Sequence, residues 1–210
     1  KPLRFGLLGL GYFGRNYLRL LQDIKDVRLA AVAAKTRETL EKYRSAMPKE
    51  AIRTTNASEI IKNLKIDCVV IATPAATHFK LAKEALENGK HVLLEKPMVA
   101  SLEEAKKLRA LAAKSPSTFM VGHQYVYNDY VRYLHNNITE LGKISHVIAE
   151  HLYNGPIRDD IGCLWDAGTH QLSMIQYLFN PGKIISASGR RVCMRNKDIV
   201  SCAGTGIQWQ

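Results

Sequence analysis

The chain has 210 residues, of which 46% are hydrophobic and 23% are charged, and its formal net charge is +11. This composition is typical of a globular protein, and no apolar run reaches the roughly 18 residues that a membrane-spanning helix needs. We expect no nucleic-acid partner despite the positive charge, because basic and acidic residues alternate along the predicted helix surfaces, as in Arg37-Glu38 and Glu41-Lys42.

The four cysteines predict a cytoplasmic protein with reduced thiols. They show no Cys-x-x-Cys spacing and no spacing to histidines that suits a metal, so we expect no metal site. Cys68 falls in an apolar, strand-like run, which favours a buried thiol over a disulfide. A strand-like run also begins within the first few residues, so we expect no signal peptide. The cysteines are Cys68, Cys163, Cys193 and Cys202.

The chain opens with the pattern of a dinucleotide-binding turn. An apolar run at residues 3–8 leads into a Gly-x-Gly-x-x-Gly turn, and a helical pattern follows over residues 13–22. In such a turn the first glycine permits the tight bend, the second lets the backbone approach a pyrophosphate, and the third lets the helix pack against the strand. The helix N-terminus adds free N–H donors. The predicted cofactor contacts here are Gly9, Gly11, Tyr12, Phe13 and Gly14.

Strands and helices then alternate as far as residue 122. Further strands are predicted at residues 27–33, 67–72, 91–94 and 118–121, and helices at residues 36–46, 56–64, 78–88 and 101–114. This alternation predicts an α/β fold, a Rossmann domain with a doubly wound parallel sheet, over residues 1–122. Ligands of such sheets bind beyond the carboxyl ends of the strands. Four candidate residues fall at such ends: Gly9, Lys35, Thr73 and Lys96.

The residues after the second strand favour NADP over NAD. NAD-binding folds of this kind place a carboxylate about 20 residues after the glycines to accept the ribose hydroxyls. Here residues 34–37 read Ala-Lys-Thr-Arg, and the first carboxylate is Glu38. Lys35 and Arg37 suit a 2′-phosphate. The alternative is that both cations are merely solvated at a helix start, which leaves NAD open.

Residues 123–210 have a different pattern, which predicts an α+β domain with an open sheet. Helices are predicted at residues 128–136 and from residue 165 to residue 179, and an alternating, half-exposed strand at residues 143–152. Two further strands are predicted at residues 184–188 and 200–209. Because the last strand runs to the end of the sequence, we expect this second domain to be incomplete.

Three residues could carry proton chemistry. Lys96 follows a buried strand at the cofactor edge, where a desolvated lysine can act as a base or donate to a reacting hydroxyl. Asp166 and His170 are four apart, so on one helix the carboxylate would orient the imidazole as a proton acceptor. The alternatives are that Lys96 is an exposed loop residue, that Asp166 only caps a helix, and that His170 is a surface residue.

Several motifs occur in an order that resembles the Gfo/Idh/MocA oxidoreductase family. They are GLGYFG at residues 9–14, ATPAATH at residues 72–78, EKP at residues 95–97, GHQYVYN at residues 122–128 and WDAGTH at residues 165–170. The GHQYVYN motif and the GPIR sequence at residues 155–158 further resemble the branch that oxidises the C3 hydroxyl of nucleotide sugars such as UDP-N-acetylglucosamine. This chain differs by Ala75, where many members have Asn, and by Val126, where many have Arg. Family members are also considerably longer.

The resemblance implies an NAD(P)-dependent dehydrogenase that takes hydride from a secondary hydroxyl of a sugar or nucleotide sugar. Lys96 would bind the reacting hydroxyl, His170 with Asp166 would exchange its proton, and the Lys96–Pro97 bond would be cis. It also implies a homodimer or tetramer through the second sheet. Alternatives are an inositol or free-sugar dehydrogenase and a non-catalytic NAD(P)-binding regulator. Implied cofactor contacts are Thr73, Pro74, His78, Glu95 and Lys96, and predicted substrate contacts are Tyr125, Tyr127 and Arg158.

Overall fold

The computed structural model describes residues 1–150, 161–180, 184–191 and 202–209. The chain divides into two compact units, Lys1–Gly122 and His123–Gln210. Among the described residues, no helix is both long enough and apolar enough to cross a membrane.

The first unit is built on a six-stranded sheet in the order β3-β2-β1-β4-β5-β6. Every neighbouring pair of strands in this sheet is parallel. Because the strand order reverses between β1 and β4, helices cover both faces, and the predicted doubly wound α/β fold is confirmed. The strands are β1 (Leu3–Leu8), β2 (Val27–Ala33), β3 (Ile52–Thr54), β4 (Cys68–Ile71), β5 (His91–Leu94) and β6 (Phe119–Val121).

Five helices surround this sheet, and three of the side chains predicted to start them form caps. Thr36 accepts from the Thr39 N–H at 3.2 Å, Asn56 from Ser58 at 3.1 Å and Ser101 from Glu104 at 3.3 Å. Such caps are each worth about 0.5–2 kcal/mol. The helices are α1 (Gly14–Asp23), α2 (Arg37–Lys42), α3 (Ala57–Lys62), α4 (His78–Glu87) and α5 (Leu102–Lys114).

Apolar residues fill both faces of the sheet. Leu8 and Ile71 belong to one buried cluster, whereas Leu7 and Val70 belong to the other. All four side chains are fully buried. Successive residues of a strand point to opposite faces, so a strand covered on both sides reads as a continuous apolar run. This is why β1 and β4 were recognisable from the sequence.

Two features of the first unit differ from the prediction. The sequence pattern did not predict β3, which has only three residues and pairs only with β2 at the edge of the sheet. The helix predicted over residues 36–46 ends at Lys42 and is followed by a 3₁₀ turn at Arg44–Ala46. Short, half-exposed elements of this kind carry little periodicity.

The second unit contains three helices and a pair of antiparallel strands within its described part. The elements are α6 (Asp129–Asn136), α7 (Cys163–Asp166), α8 (Gly168–Phe179), β7 (Ile184–Arg191) and β8 (Cys202–Trp209). The strand predicted at residues 143–152 is wrong for residues 143–150, since no described strand pairs with them. Alternating side chains alone do not make a strand without a partner for its backbone groups. Residues 151 and 152 lie outside the described part.

Candidate active site

Backbone hydrogen bonds align the carboxyl ends of the strands of the first unit along one edge. Each bond joins the residue just after one strand to the last residue of its neighbour, with N···O distances of 2.8 to 2.9 Å. The loops that leave these strands therefore start side by side. The N–H donors and their carbonyl acceptors are Gly9 to Ala33, Ala72 to Leu8, Glu95 to Ile71 and Gly122 to Leu94.

The surroundings of the three glycines of the turn differ in whether they would admit a side chain. Gly9 has φ of +102°, and an added Cβ would lie 2.5 Å from the carbonyl oxygen of Ala72. A Cβ on Gly14 would collide with the carbonyl of Gly9. A Cβ on Gly11, in contrast, would have no described protein atom within 4 Å. Gly9 and Gly14 are thus required by the fold, whereas Gly11 borders open space.

The start of α1 fits a pyrophosphate beside Gly11. Phe13 precedes the helix and makes no side-chain cap, and the first turn contains no acidic residue. The N–H groups of Arg15 and Asn16 donate to the carbonyls of Gly11 and Phe13, whereas the Gly14 N–H and the positive end of the helix dipole are available to an anion. The open space at Gly11 and this helix start together form a cradle that suits a dinucleotide. Tyr12 borders the same turn and is 78% exposed.

Lys35 and Arg37 lie where the sequence placed the ribose-recognising residues, two and four positions after β2. Both are exposed, and within the described residues neither takes part in an ion pair. The Thr36 hydroxyl between them is used to cap α2. The cations, rather than this hydroxyl, are therefore the groups that could bind a phosphate.

His78 does not present a nitrogen to a cofactor, in contrast to its predicted role. It is 1% exposed, its Nδ1 lies 2.9 Å from the carbonyl oxygen of Pro97, and its Nε2 lies 2.9 Å from that of Thr73. Both ring nitrogens thus face backbone carbonyls. Thr73 remains at the strand edge, and its hydroxyl contacts that of Thr77 at 2.7 Å.

The Glu95-Lys96-Pro97 segment leaves the end of β5 with a cis bond between Lys96 and Pro97, as the resemblance implies. Glu95 is 6% exposed, and each of its two carboxylate oxygens accepts a hydrogen bond. Its Oε1 accepts from the Tyr17 hydroxyl at 2.6 Å, and its Oε2 accepts from the Lys96 N–H at 3.1 Å. Burial, together with the bond to Glu95, raises the pKa of Tyr17 well above its usual value. Sequence reasoning missed Tyr17 because its partner is 78 residues away.

Two of the residues predicted for the second unit are in contact. The rings of Tyr125 and His170 meet edge to face with centroids 4.7 Å apart, and His170 is 6% exposed. Tyr127 instead packs against the guanidinium of Arg132, which lies 5.2 Å from its ring centroid. Burial lowers the pKa of His123, the first residue of the second unit. Arg158 lies outside the described residues.

The single helix predicted around Asp166 and His170 is wrong. Asp166 ends α7, and α8 begins at Gly168. The Asp166 carbonyl accepts from the Thr169 hydroxyl at 3.0 Å, and the His170 N–H bonds to Ala167 at 3.0 Å. Ala167 between the two helices keeps a helical backbone conformation, with φ −89° and ψ −40°. The pairing of Asp166 with His170 stays a prediction.

Among the described residues, no group of three or more His, Cys, Asp or Glu side chains is placed to hold a metal ion. A family model described as the oxidoreductase family with an NAD-binding Rossmann fold matches residues 3–123. The chain belongs to the Gfo/Idh/MocA oxidoreductase family.

Known relatives agree with this membership. Glucose-6-phosphate 3-dehydrogenase of Bacillus subtilis is 30% identical over 191 residues, which cover 84% of this chain and 53% of the relative. A crystal structure from Magnetospirillum magnetotacticum MS-1 superposes with a TM-score of 0.81 at 28% identity, covering 94% of this chain and 63% of that one. The chain thus spans about half the length of the curated relative.

The fold is also that of scyllo-inositol dehydrogenase from Lactobacillus casei, solved with bound NAD(H) and scyllo-inositol. The TM-score is 0.77 at 18% identity, and the match covers 92% of this chain and 61% of that one. At this identity the likeness concerns the fold alone.

Proposed function

We propose that this protein is an NAD(P)-dependent dehydrogenase that oxidises a secondary hydroxyl of a sugar or nucleotide sugar. The observation that carries the proposal is the arrangement at the sheet edge. The glycine turn, the Thr73 turn and Lys96 follow three adjacent strands, β1, β4 and β5, whose ends are level. This arrangement supports a cofactor cradle on the same edge as a lysine that would bind the reacting oxygen.

The roles of the side chains follow from their chemistry. A nicotinamide, when bound, supplies the hydride acceptor. We assign Lys96 as the donor that binds and polarises the substrate hydroxyl, and His170 as the acceptor of its proton. An imidazole is suited to this because its ordinary pKa lies near neutrality. We assign Asp166 as a helper of His170, four residues before it.

For the cofactor we propose NADP rather than NAD, with NAD as the alternative. The support is the pair of exposed cations at the end of β2, Lys35 and Arg37, and the position of Glu38 after them. A 2′-phosphate would gain charge-assisted hydrogen bonds from these side chains. A bare ribose diol, in contrast, would find no carboxylate at Lys35 or Thr36.

The substrate class is supported by the relatives more than by the geometry. A relative named glucose-6-phosphate 3-dehydrogenase favours a sugar. The Tyr125–His170 contact gives a substrate ring an aromatic neighbour beside the proposed proton acceptor. The GPIR sequence that resembled the nucleotide-sugar branch lies outside the described residues, so the nucleotide remains a prediction, as do the homodimer or tetramer and the cytoplasmic location. An inositol or free-sugar dehydrogenase is the second candidate.

A substrate screen tests the proposal. Purified protein would be incubated with NADP or NAD and with UDP-N-acetylglucosamine, glucose 6-phosphate or myo-inositol, and reduction would be followed at the nicotinamide absorbance band. We expect reduction with at least one sugar and a preference for NADP. Cofactor binding without reduction of any secondary alcohol, in a wider panel as well, would favour the non-catalytic NAD(P)-binding regulator instead.

A further inference from the structure

The Glu95–Pro97 segment is held from both sides by polar side chains that have no assigned role in this reaction. Tyr17 reaches it from α1 and His78 reaches it from α4. The two helices lie on opposite faces of the sheet, since residues of α1 belong to one core cluster and residues of α4 to the other. The segment is therefore clamped between the two layers that cover the sheet.

Tyr17 acts on the N-terminal side of Lys96. Its hydroxyl donates to Glu95 Oε1 at 2.6 Å, and the other carboxylate oxygen accepts the Lys96 N–H at 3.1 Å. Gly122 leaves room for this arrangement, because a Cβ there would lie 3.2 Å from Glu95 Oε1. A buried carboxylate that loses a donor becomes costly to keep in place. Loss of the Tyr17 hydroxyl should therefore loosen the Glu95 side chain and with it the Lys96 backbone.

His78 acts on the C-terminal side. Its Nδ1 lies 2.9 Å from the Pro97 carbonyl oxygen and its Nε2 lies 2.9 Å from the Thr73 carbonyl oxygen. A neutral imidazole donates through one nitrogen and an imidazolium through both. When neutral, the buried ring donates to one of the two carbonyls and only packs against the other; when protonated, it donates to both and joins the lysine segment to the turn that follows β4.

We propose that Tyr17 and His78 are positioning residues that fix the backbone on both sides of Lys96. The inference rests on the proposed function only for the role of Lys96. The Lys96 N–H donates to Glu95, and the Pro97 carbonyl faces His78. The Lys96 side chain therefore extends from a Cα whose position is fixed. Misplacement of a reacting group by about 1 Å can cost about a hundredfold in rate.

Tyr17→Phe removes only the hydroxyl and is the main test. We expect kcat to fall about tenfold to a hundredfold, with the KM for cofactor within about twofold of the wild-type value. Tyr130→Phe is the matched control, since Tyr130 is 86% exposed and its hydroxyl should not affect the rate.

Hydrogen exchange gives a readout that does not depend on activity. The Lys96 amide should exchange about tenfold faster in Tyr17→Phe, because its acceptor is less well held, while amides within β1 keep the wild-type rate. Unchanged exchange together with unchanged kcat in Tyr17→Phe would overturn the role of Tyr17. Lys96→Ala is measured in parallel: if it alone loses turnover, this inference fails and the proposed function stands. If Lys96→Ala keeps full turnover, the proposed function fails.

Two substitutions of His78 by amide side chains test its two contacts separately. Asparagine can place its NH₂ near the position of Nδ1, and glutamine can place its NH₂ near that of Nε2. We therefore expect His78→Asn, which keeps the bond to Pro97, to retain kcat better than His78→Gln. His78→Gln, which keeps the bond to Thr73, should retain cofactor affinity better. Equal kcat values and equal affinities in the two variants, with both folded by circular dichroism, would overturn the role of His78.

Discussion

Substitution of Gly11 by alanine should weaken cofactor binding without weakening the fold. An alanine Cβ at this position would have no described protein atom within 4 Å, so the folded chain tolerates it. The same Cβ would occupy the space that a pyrophosphate needs in order to approach the backbone. The effect on binding and the effect on stability should therefore separate.

The magnitude follows from the contacts at stake. A hydrogen bond from a backbone N–H to a charged group contributes about 1.5–3 kcal/mol. Because about 1.4 kcal/mol corresponds to a factor of ten, the loss of one such bond raises the Kd for the dinucleotide about tenfold to a hundredfold. The free energy of unfolding should change by less than about 0.5 kcal/mol, as at an open surface site.

Gly14→Ala is the matched control. Here the added Cβ would collide with the carbonyl of Gly9, so the helix must shift. Overpacking of this kind costs about 1–3 kcal/mol, and each kcal/mol lowers the Tm of a chain of this size by about 2–4 °C. Isothermal titration with NADP and thermal unfolding of the free protein measure the two effects. A Gly11→Ala protein that binds the dinucleotide as tightly as wild type would refute the assignment of the cradle.

Two further predictions concern charged residues. Lys35→Ala and Arg37→Ala should each raise the Kd for NADP by about tenfold and leave the Kd for NAD within about twofold, measured by titration; tighter binding of NAD by the wild-type protein would contradict the NADP assignment. The Arg4 guanidinium, 2.7 Å from Asp67, lowers the pKa of that carboxyl from 3.8 to about 2. Its stabilisation is therefore present above pH 4 and lost as the pH falls towards 2. Asp67→Asn should lower the free energy of unfolding by about 1–2 kcal/mol at pH 7, a figure that already allows for the partial exposure of the carboxylate. Urea unfolding should show that the difference in stability from wild type shrinks below pH 4.

The first unit was largely predictable because its signals are local. The apolar runs of β1, β2 and β5, the three helix caps and the glycine turn each depend on residues close in sequence. The level strand ends then follow from the topology of a parallel sheet. For this reason the sequence alone predicts that Gly9, Thr73 and Lys96 lie on one edge of the sheet.

The rest depends on contacts that the sequence does not encode locally. Tyr17 reads as an ordinary helix residue, and only the fold brings it to Glu95. The motif predicts that His78 contacts the cofactor, whereas in the structure its buried ring faces the backbone carbonyls of Pro97 and Thr73. The gap between α7 and α8 is the single residue Ala167, which helical periodicity does not reveal.

The central claim is that Lys96 makes this edge a dehydrogenase site rather than a nucleotide pocket. The most direct measurement is the turnover of Lys96→Ala with the substrate found in the screen, compared with Lys107→Ala, an exposed lysine of α5. We expect Lys96→Ala to lower kcat by about a hundredfold or more, with the Kd for the cofactor within about threefold of wild type and Lys107→Ala unchanged. Wild-type turnover in Lys96→Ala would contradict the proposed function.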